Sequence, residues 1–310
     1  MSVGAIAAAL VPIAALLALG AALRRLRGFS SPEFWAGAER LAYFLLLPTL
    51  LFTSISTVDL AGIPVGRVAV AVVAPTLLVT GILFALSRVV APNAAAFTSV
   101  LQGSVRFNTY VGVSLAVSLV PGEGAALAGI VGAVLVPLVN VIATLGFEVF
   151  LVERSSLLSL AGKVVLNPLV LACVLGAAAG ALPFEMPEVV VGVLNPLAAA
   201  ALPVGLLCVG AGLRRIELRT HAVGVVVASS AKLLVLPALT LGGLVLVGVS
   251  GPVALVALIF QSIGTASTAY VLARQLGGDS SLMAALIAFQ TVASFVTLPF
   301  VLLVGSAVLV

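Results

Sequence analysis

Ten predominantly apolar runs, each near the roughly 20 residues a helix needs to cross a bilayer, follow one another along almost the whole chain. They are Ser2 to Leu23, Phe34 to Ser54, Val65 to Val89, Asn93 to Leu119 and Gly124 to Leu151 in the first half. The second half contributes Leu157 to Leu182, Val189 to Leu213, Thr220 to Val247, Pro252 to Arg274 and Ser280 to Leu309. Of the 310 residues 63% are hydrophobic and 8% charged, far more apolar than a soluble core of this length requires, so lipid is the expected solvent. The connections leave no room for a separate soluble domain. The expected fold class is therefore all-α integral membrane, with ten transmembrane helices, and the net charge of +4 does not imply nucleic acid.

The first run lacks a basic segment before it and is followed by Arg24, Arg25 and Arg27, which marks it as span 1 rather than a signal peptide. Counting alternate connections, one face collects Arg24, Arg25, Arg27, Arg88, Arg154, Arg214, Arg215, Arg219 and Arg274, and the other holds Arg67. The basic face is expected to be cytoplasmic, which puts both termini outside a cell membrane.

A repeat underlies the ten runs. Leu19-Gly20-Ala21-Ala22 recurs as Leu175-Gly176-Ala177-Ala178 (175 − 19 = 156), Pro12 pairs with Pro168 at 156, Pro48 with Pro203 at 155, and Gly122-Glu123 with Gly278-Asp279 at 156. These landmarks relate spans 1–5 (residues 1–155) to spans 6–10 (residues 156–310). Because five is odd, the second half enters from the opposite side, making two inverted five-helix repeats.

Two spans are interrupted at matching depths. Span 4 carries Gln102 to Tyr110 around its centre, including Arg106, Asn108, Thr109 and Tyr110, and span 9 carries Gln261 to Tyr270, including Gly264, Thr265, Ala266, Ser267 and Thr268. Asn108 maps onto Gly264 (108 + 156 = 264). Glycine and small hydroxyl residues let the backbone leave the helix, and freed N–H and C=O groups then need a partner that hydrocarbon lacks. Broken, crossing helices 4 and 9 are thus expected to build a substrate site whose half-helix N-termini favour an anion. The alternative is that these polar residues bond between continuous helices.

Two further cations fall near the midplane, Arg106 itself and Lys232 of span 8, each costing at least about 2.5–3.5 kcal/mol to insert. Each either meets a ligand or plugs helix carbonyls. Asn140 in span 5 and Gln290, Thr291 and Ser294 in span 10 are the remaining central polar groups. No Asp or Glu is central: Glu39, Glu148 and Glu153 fall to the cytoplasmic side and Asp59, Glu123, Glu185 and Glu188 to the outer side, so a carboxylate proton relay is not expected. Cys173 and Cys208 lack partners at ligand spacing, and His221 sits at a span boundary, so neither metal nor cofactor is expected.

These motifs resemble the auxin efflux carrier family, whose bacterial members include malonate-type and other organic-acid carriers. Arg106-Phe107-Asn108-Thr109 is similar to the family's R-x-N-T, Asn167-Pro168-Leu169 with Leu175-Gly176 to its N-P…L-G, and Lys232-Leu233-Leu234 with Pro237 to its span 8 pattern. Span 9 resembles L-P-T-A-x-N-A-F-V-L-A-x-x-x-G-G-D, with Gly264 in place of proline and Thr268 in place of asparagine, and Tyr110 stands where the family has a small residue. The resemblance implies the inverted-repeat fold shared with bile acid:sodium symporters, a scaffold of spans 1, 2, 6 and 7 able to dimerise, and a moving transport domain of spans 3–5 and 8–10. It carries substrate contact onto Asn108, Thr109 and Thr265 to Thr268. The sequence reading is a secondary transporter for a small organic anion, working by alternating access. A sodium-coupled bile-acid-type symporter is the alternative; an intramembrane enzyme lacks the acidic pair or Ser/His dyad it would need.

Overall fold

The computed structural model describes residues 2–58, 62–151, 167–182, 186–213 and 221–309, all of whose regular elements are helical. Arg154, Arg214, Arg215, Arg219, Asp59, Glu153, Glu185 and the expected span starts at Leu157 and Thr220 lie outside the described residues.

We number the helices α1 (Val3–Leu23), α2 (Pro32–Ser56), α3 (Val65–Ala85), α4 (Ala94–Val105), α5 (Thr109–Leu119) and α6 (Gly124–Phe150). They continue as α7 (Pro168–Ala181), α8 (Glu188–Gly212), α9 (Ala222–Leu246), α10 (Gly251–Ser262), α11 (Thr268–Gln275) and α12 (Ser280–Leu309). Local chemistry sets several starts. Ser2, Ser31, Asn93 and Asn167 each accept a backbone N–H of the following turn, and Pro32 and Pro168 occupy first helical positions where no N–H is needed.

Seven helices among the described residues, α1, α2, α3, α6, α8, α9 and α12, are long and apolar enough to cross a membrane. Large side chains such as Val189, Leu246, Val296 and Phe300 stand exposed on their outer faces, which suits hydrocarbon and not water. The other three expected runs read differently for identifiable reasons. Spans 4 and 9 are divided into α4/α5 and α10/α11, and the described part of span 6 is the short helix α7.

Proline leaves a visible mark inside the long helices. Pro48 and Pro237 each lie two residues beyond a π turn, Ala42–Leu46 in α2 and Ala231–Val235 in α9. A proline donates no N–H and clashes with the carbonyl four residues before it, and a widened turn absorbs both problems without ending the helix.

The most extensive packing joins α1 to α8, α2 to α7 and α2 to α8. At the first two seams backbones touch. A Cβ on Gly20 would lie 2.1 Å from the Leu207 carbonyl oxygen, and one on Gly176 2.8 Å from that of Phe52. Gly20 and Gly176 are 156 apart and Phe52 and Leu207 are 155 apart, the offsets seen in the sequence, so one seam occurs twice with its partners exchanged. Helix α6 is deeply buried, packed against α4, α5, α10, α7 and α2, and it carries Asn140 to the interruptions of the neighbouring helices.

Candidate substrate cavity at the broken helices

Helix α4 ends where Arg106 turns to extended backbone (φ −70°, ψ 157°), and α10 ends where Ile263 does the same (φ −90°, ψ 152°). The two breaks, residues 106–108 and 263–267, meet: the Asn108 N–H donates to the Gly264 carbonyl at 2.9 Å. These are the positions the repeat offset pairs.

Several expected site residues tie the breaks together. Gln290 of α12 donates from Nε2 to the Gly103 carbonyl at 2.8 Å, while its Oε1 accepts from the Thr265 N–H at 3.0 Å and from Thr265 Oγ1 at 2.8 Å. Gly264 is required by proximity rather than by φ, since a Cβ there would stand 2.9 Å from the Gln290 carbonyl carbon. Lys232 is fully buried and donates from Nζ to the Phe260 carbonyl at 3.4 Å, with Nζ 5.7 Å from the centre of the Phe107 ring. It therefore satisfies a carbonyl at the end of α10, the plugging role, and its bond is with protein. Asn108 caps α5 by accepting from the Val111 N–H at 3.3 Å.

Other expected residues line a cavity of about 130 Å³ beside the breaks: Arg106, Thr109, Asn140, Ala266 and Thr268. Tyr43 of α2, Phe107, Val136 and Val139 of α6 and Leu169 of α7 complete it. The first residues of α5 and α11, Thr109 and Thr268, thus face one space. Arg106 dominates it chemically. Its Nη2 reaches Thr268 Oγ1 only at 3.5 Å, and among the described residues its Nη1 has no hydrogen-bond partner and it makes no ion pair with a carboxylate. A guanidinium in that condition is a donor set awaiting an acceptor.

Two expected residues point elsewhere. Tyr110 packs its ring on α8, where a Cβ at Gly205 would stand 2.1 Å from Tyr110 Cδ1, and its buried hydroxyl has no partner. Ser267 faces a second cavity of about 260 Å³, where it donates to Glu39 Oε1 at 3.1 Å.

Sequence reasoning missed Tyr43, Phe107, Val136, Val139, Leu169 and Glu39. Apolar lining carries no signal distinct from lipid-facing surface, but Glu39 and Tyr43 are four apart on α2 and so share a face, and Asn167 of the N-P motif donates to the Tyr43 hydroxyl at 3.3 Å. His221, expected at an interface, joins Ser281 at 3.1 Å and lies 3.9 Å from Asp279 where α9 and α12 begin.

Among comparisons with known proteins, the family model described as "Membrane transport protein" matches residues 151–302, the segment that contains the second break and Gln290. This half of the chain belongs to the auxin efflux carrier family. The chain is accordingly a multi-pass membrane transporter, as its apolar helices require. No curated protein matches it. In the transporter the matched segment supplies Leu169, Ala266 and Thr268 to the cavity, while the first half supplies the guanidinium.

Proposed function

We propose that this transporter is a secondary carrier for a small organic anion, and that the substrate carboxylate is held by Arg106 with help from Thr109, Asn140 and Thr268. The single observation that carries the reading is the Arg106 guanidinium, with Nη1 unpartnered and no carboxylate beside it among the described residues, at a cavity where two helix breaks meet. A charge at that depth is costly, so its retention is explained by a bound anion that offsets it. The start of α11 adds its positive end to the same space. A volume of about 130 Å³, well under the roughly 300–1,000 Å³ of sites for drug-sized ligands, suits a compact carboxylate better than a steroid-sized one.

The architecture in this reading is ten spans in two inverted five-helix repeats, with α4/α5 and α10/α11 as the broken fourth and ninth. Support comes from the exchanged Gly20/Leu207 and Gly176/Phe52 seams and from the bond between repeat-equivalent residues 108 and 264. Helices α1, α2, α7 and α8 form the scaffold, and α3–α6 with α9–α12 form the moving body. The cavity lies on the boundary between them, since Tyr43 and Leu169 come from the scaffold and Arg106, Asn140 and Thr268 from the body. A rocking or elevator movement of one group against the other would open it to alternate faces.

The test is uptake of radiolabelled malonate, succinate, indole-3-acetate and a bulky steroid acid into liposomes containing the purified protein, with and without sodium. Saturable uptake that is lost on replacing Arg106 by Gln supports the reading. Absence of uptake and of ligand-induced stabilisation across the panel refutes it, and strict sodium dependence with a bulky steroid acid would move the assignment to the sodium-coupled alternative.

A further inference from the structure

Glu39 was expected at the cytoplasmic edge, away from the chemistry, yet it faces the cavity of about 260 Å³ formed where α1, α2 and α8 meet α11 and α12. Its acceptor bond comes from Ser267, the last residue of the second break. The next residue is Thr268, whose hydroxyl is the side-chain hydrogen-bond partner of Arg106 among the described residues. One five-residue break therefore carries the neighbour of the anion site on one side and a carboxylate partner on the other.

The surroundings of Glu39 are specific. Arg24 and Arg274 line the same cavity, but neither is within ion-pairing distance of it, and Arg24 is committed to the Ala211 carbonyl at the end of α8. Among the described residues, Cys208 of α8, Tyr270 of α11 and Tyr110 of α5 are the other titratable groups that face it, with Tyr43 one turn on along its own helix; α12 offers Ala284 and Ile287. Of these side-chain types a carboxyl is the one that exchanges a proton in mildly acidic medium. An ionised carboxylate near the path of an anion repels it, most strongly where water is scarce, and protonation removes the repulsion.

We propose that Glu39 is a proton-binding residue that couples proton movement to anion movement: it takes up a proton as the anion enters and gives it up to the side on which the anion leaves. The Ser267 bond spans the boundary between α2 and the α10/α11 body, so charge on Glu39 also sets how firmly the two groups hold together. One proton with a monocarboxylate leaves no net charge moved; one proton with the malonate dianion moves one negative charge. The inference rests on the anion-carrier reading.

The test uses purified protein in liposomes with radiolabelled malonate, the membrane potential clamped at zero, and an imposed acid-outside gradient of about one pH unit. One proton per malonate allows up to about tenfold accumulation over the gradient-free level. The Glu39→Gln variant, which keeps an acceptor for Ser267, should retain malonate-for-malonate exchange and lose the gradient effect. A variant that accumulates malonate like the wild type, or a wild type indifferent to the gradient, overturns the coupling. Infrared titration without substrate gives a separate readout: a carboxylic-acid C=O band should rise on acidification in the wild type and be reduced in Glu39→Gln. Identical bands overturn proton binding at Glu39 even if no carboxylate is transported, whereas failed exchange with a normal band difference counts against the anion reading instead.

Discussion

Replacing Arg106 by Gln should separate ligand binding from stability. A charge-assisted hydrogen bond contributes about 1.5–3 kcal/mol net, and each 1.4 kcal/mol is tenfold, so losing it should weaken carboxylate binding by roughly 10- to 150-fold. The fold should not suffer equally. Arg106 makes one side-chain hydrogen bond, at 3.5 Å, and leaves Nη1 unpartnered, so the substitution removes little bonding and relieves an insertion cost of about 2.5–3.5 kcal/mol. Thermal unfolding in detergent measures both effects. With ligand at a hundred times the wild-type Kd, the wild type gains about 2.7 kcal/mol by mass action, and a variant binding a hundredfold more weakly gains about 0.4 kcal/mol. The ligand-free protein should unfold at the same temperature or higher. A variant that keeps its ligand-induced shift but unfolds earlier without ligand would show that Arg106 plugs helix carbonyls, and the binding argument would fail.

Three other substitutions probe the supports of the cavity. Gln290→Leu strands the Thr265 N–H and leaves the Gly103 carbonyl with the Thr265 hydroxyl alone, so stability in the same assay should fall by about 1–3 kcal/mol; an unchanged value would mean the breaks are held by something else. Gly205→Ala drives a Cβ into the Tyr110 ring and should cost about 1–3 kcal/mol alone but little in a Tyr110→Ala background, a coupling that a double-mutant cycle measures directly. Asn93→Ala removes the 2.8 Å cap of α4 and should lower stability by about 0.5–2 kcal/mol while leaving the affinity for malonate unchanged, because the cap lies at the opposite end of α4 from Arg106.

Much of the scaffold of this protein was legible because apolar length and punctuation are linear properties. The edges expected for Ser280 to Leu309, Gly124 to Leu151 and Val189 to Leu213 fall within one residue of the helices found. The two interruptions were legible for the same reason, since glycine and hydroxyl residues stand out inside an apolar run. The partners of those residues were not. Arg106 and Lys232 look alike in the sequence, a cation near the middle of a span, but Lys232 meets the Phe260 carbonyl and Arg106 meets an open space. Thr265 and Thr268 sit three apart in one motif, yet one is bonded to Gln290 and the other faces the cavity.

The sequence by itself determined that the chain lives in lipid, where its seven long apolar helices lie, and where two helices break, because hydrocarbon enforces backbone satisfaction residue by residue. Only the tertiary structure decided which polar groups are consumed by those breaks and which remain for a ligand. That division depends on contacts between segments far apart in the chain, such as Gly103 with Thr265, Glu39 with Ser267 and Tyr110 against Gly205 once the helices pack, and no local pattern encodes them.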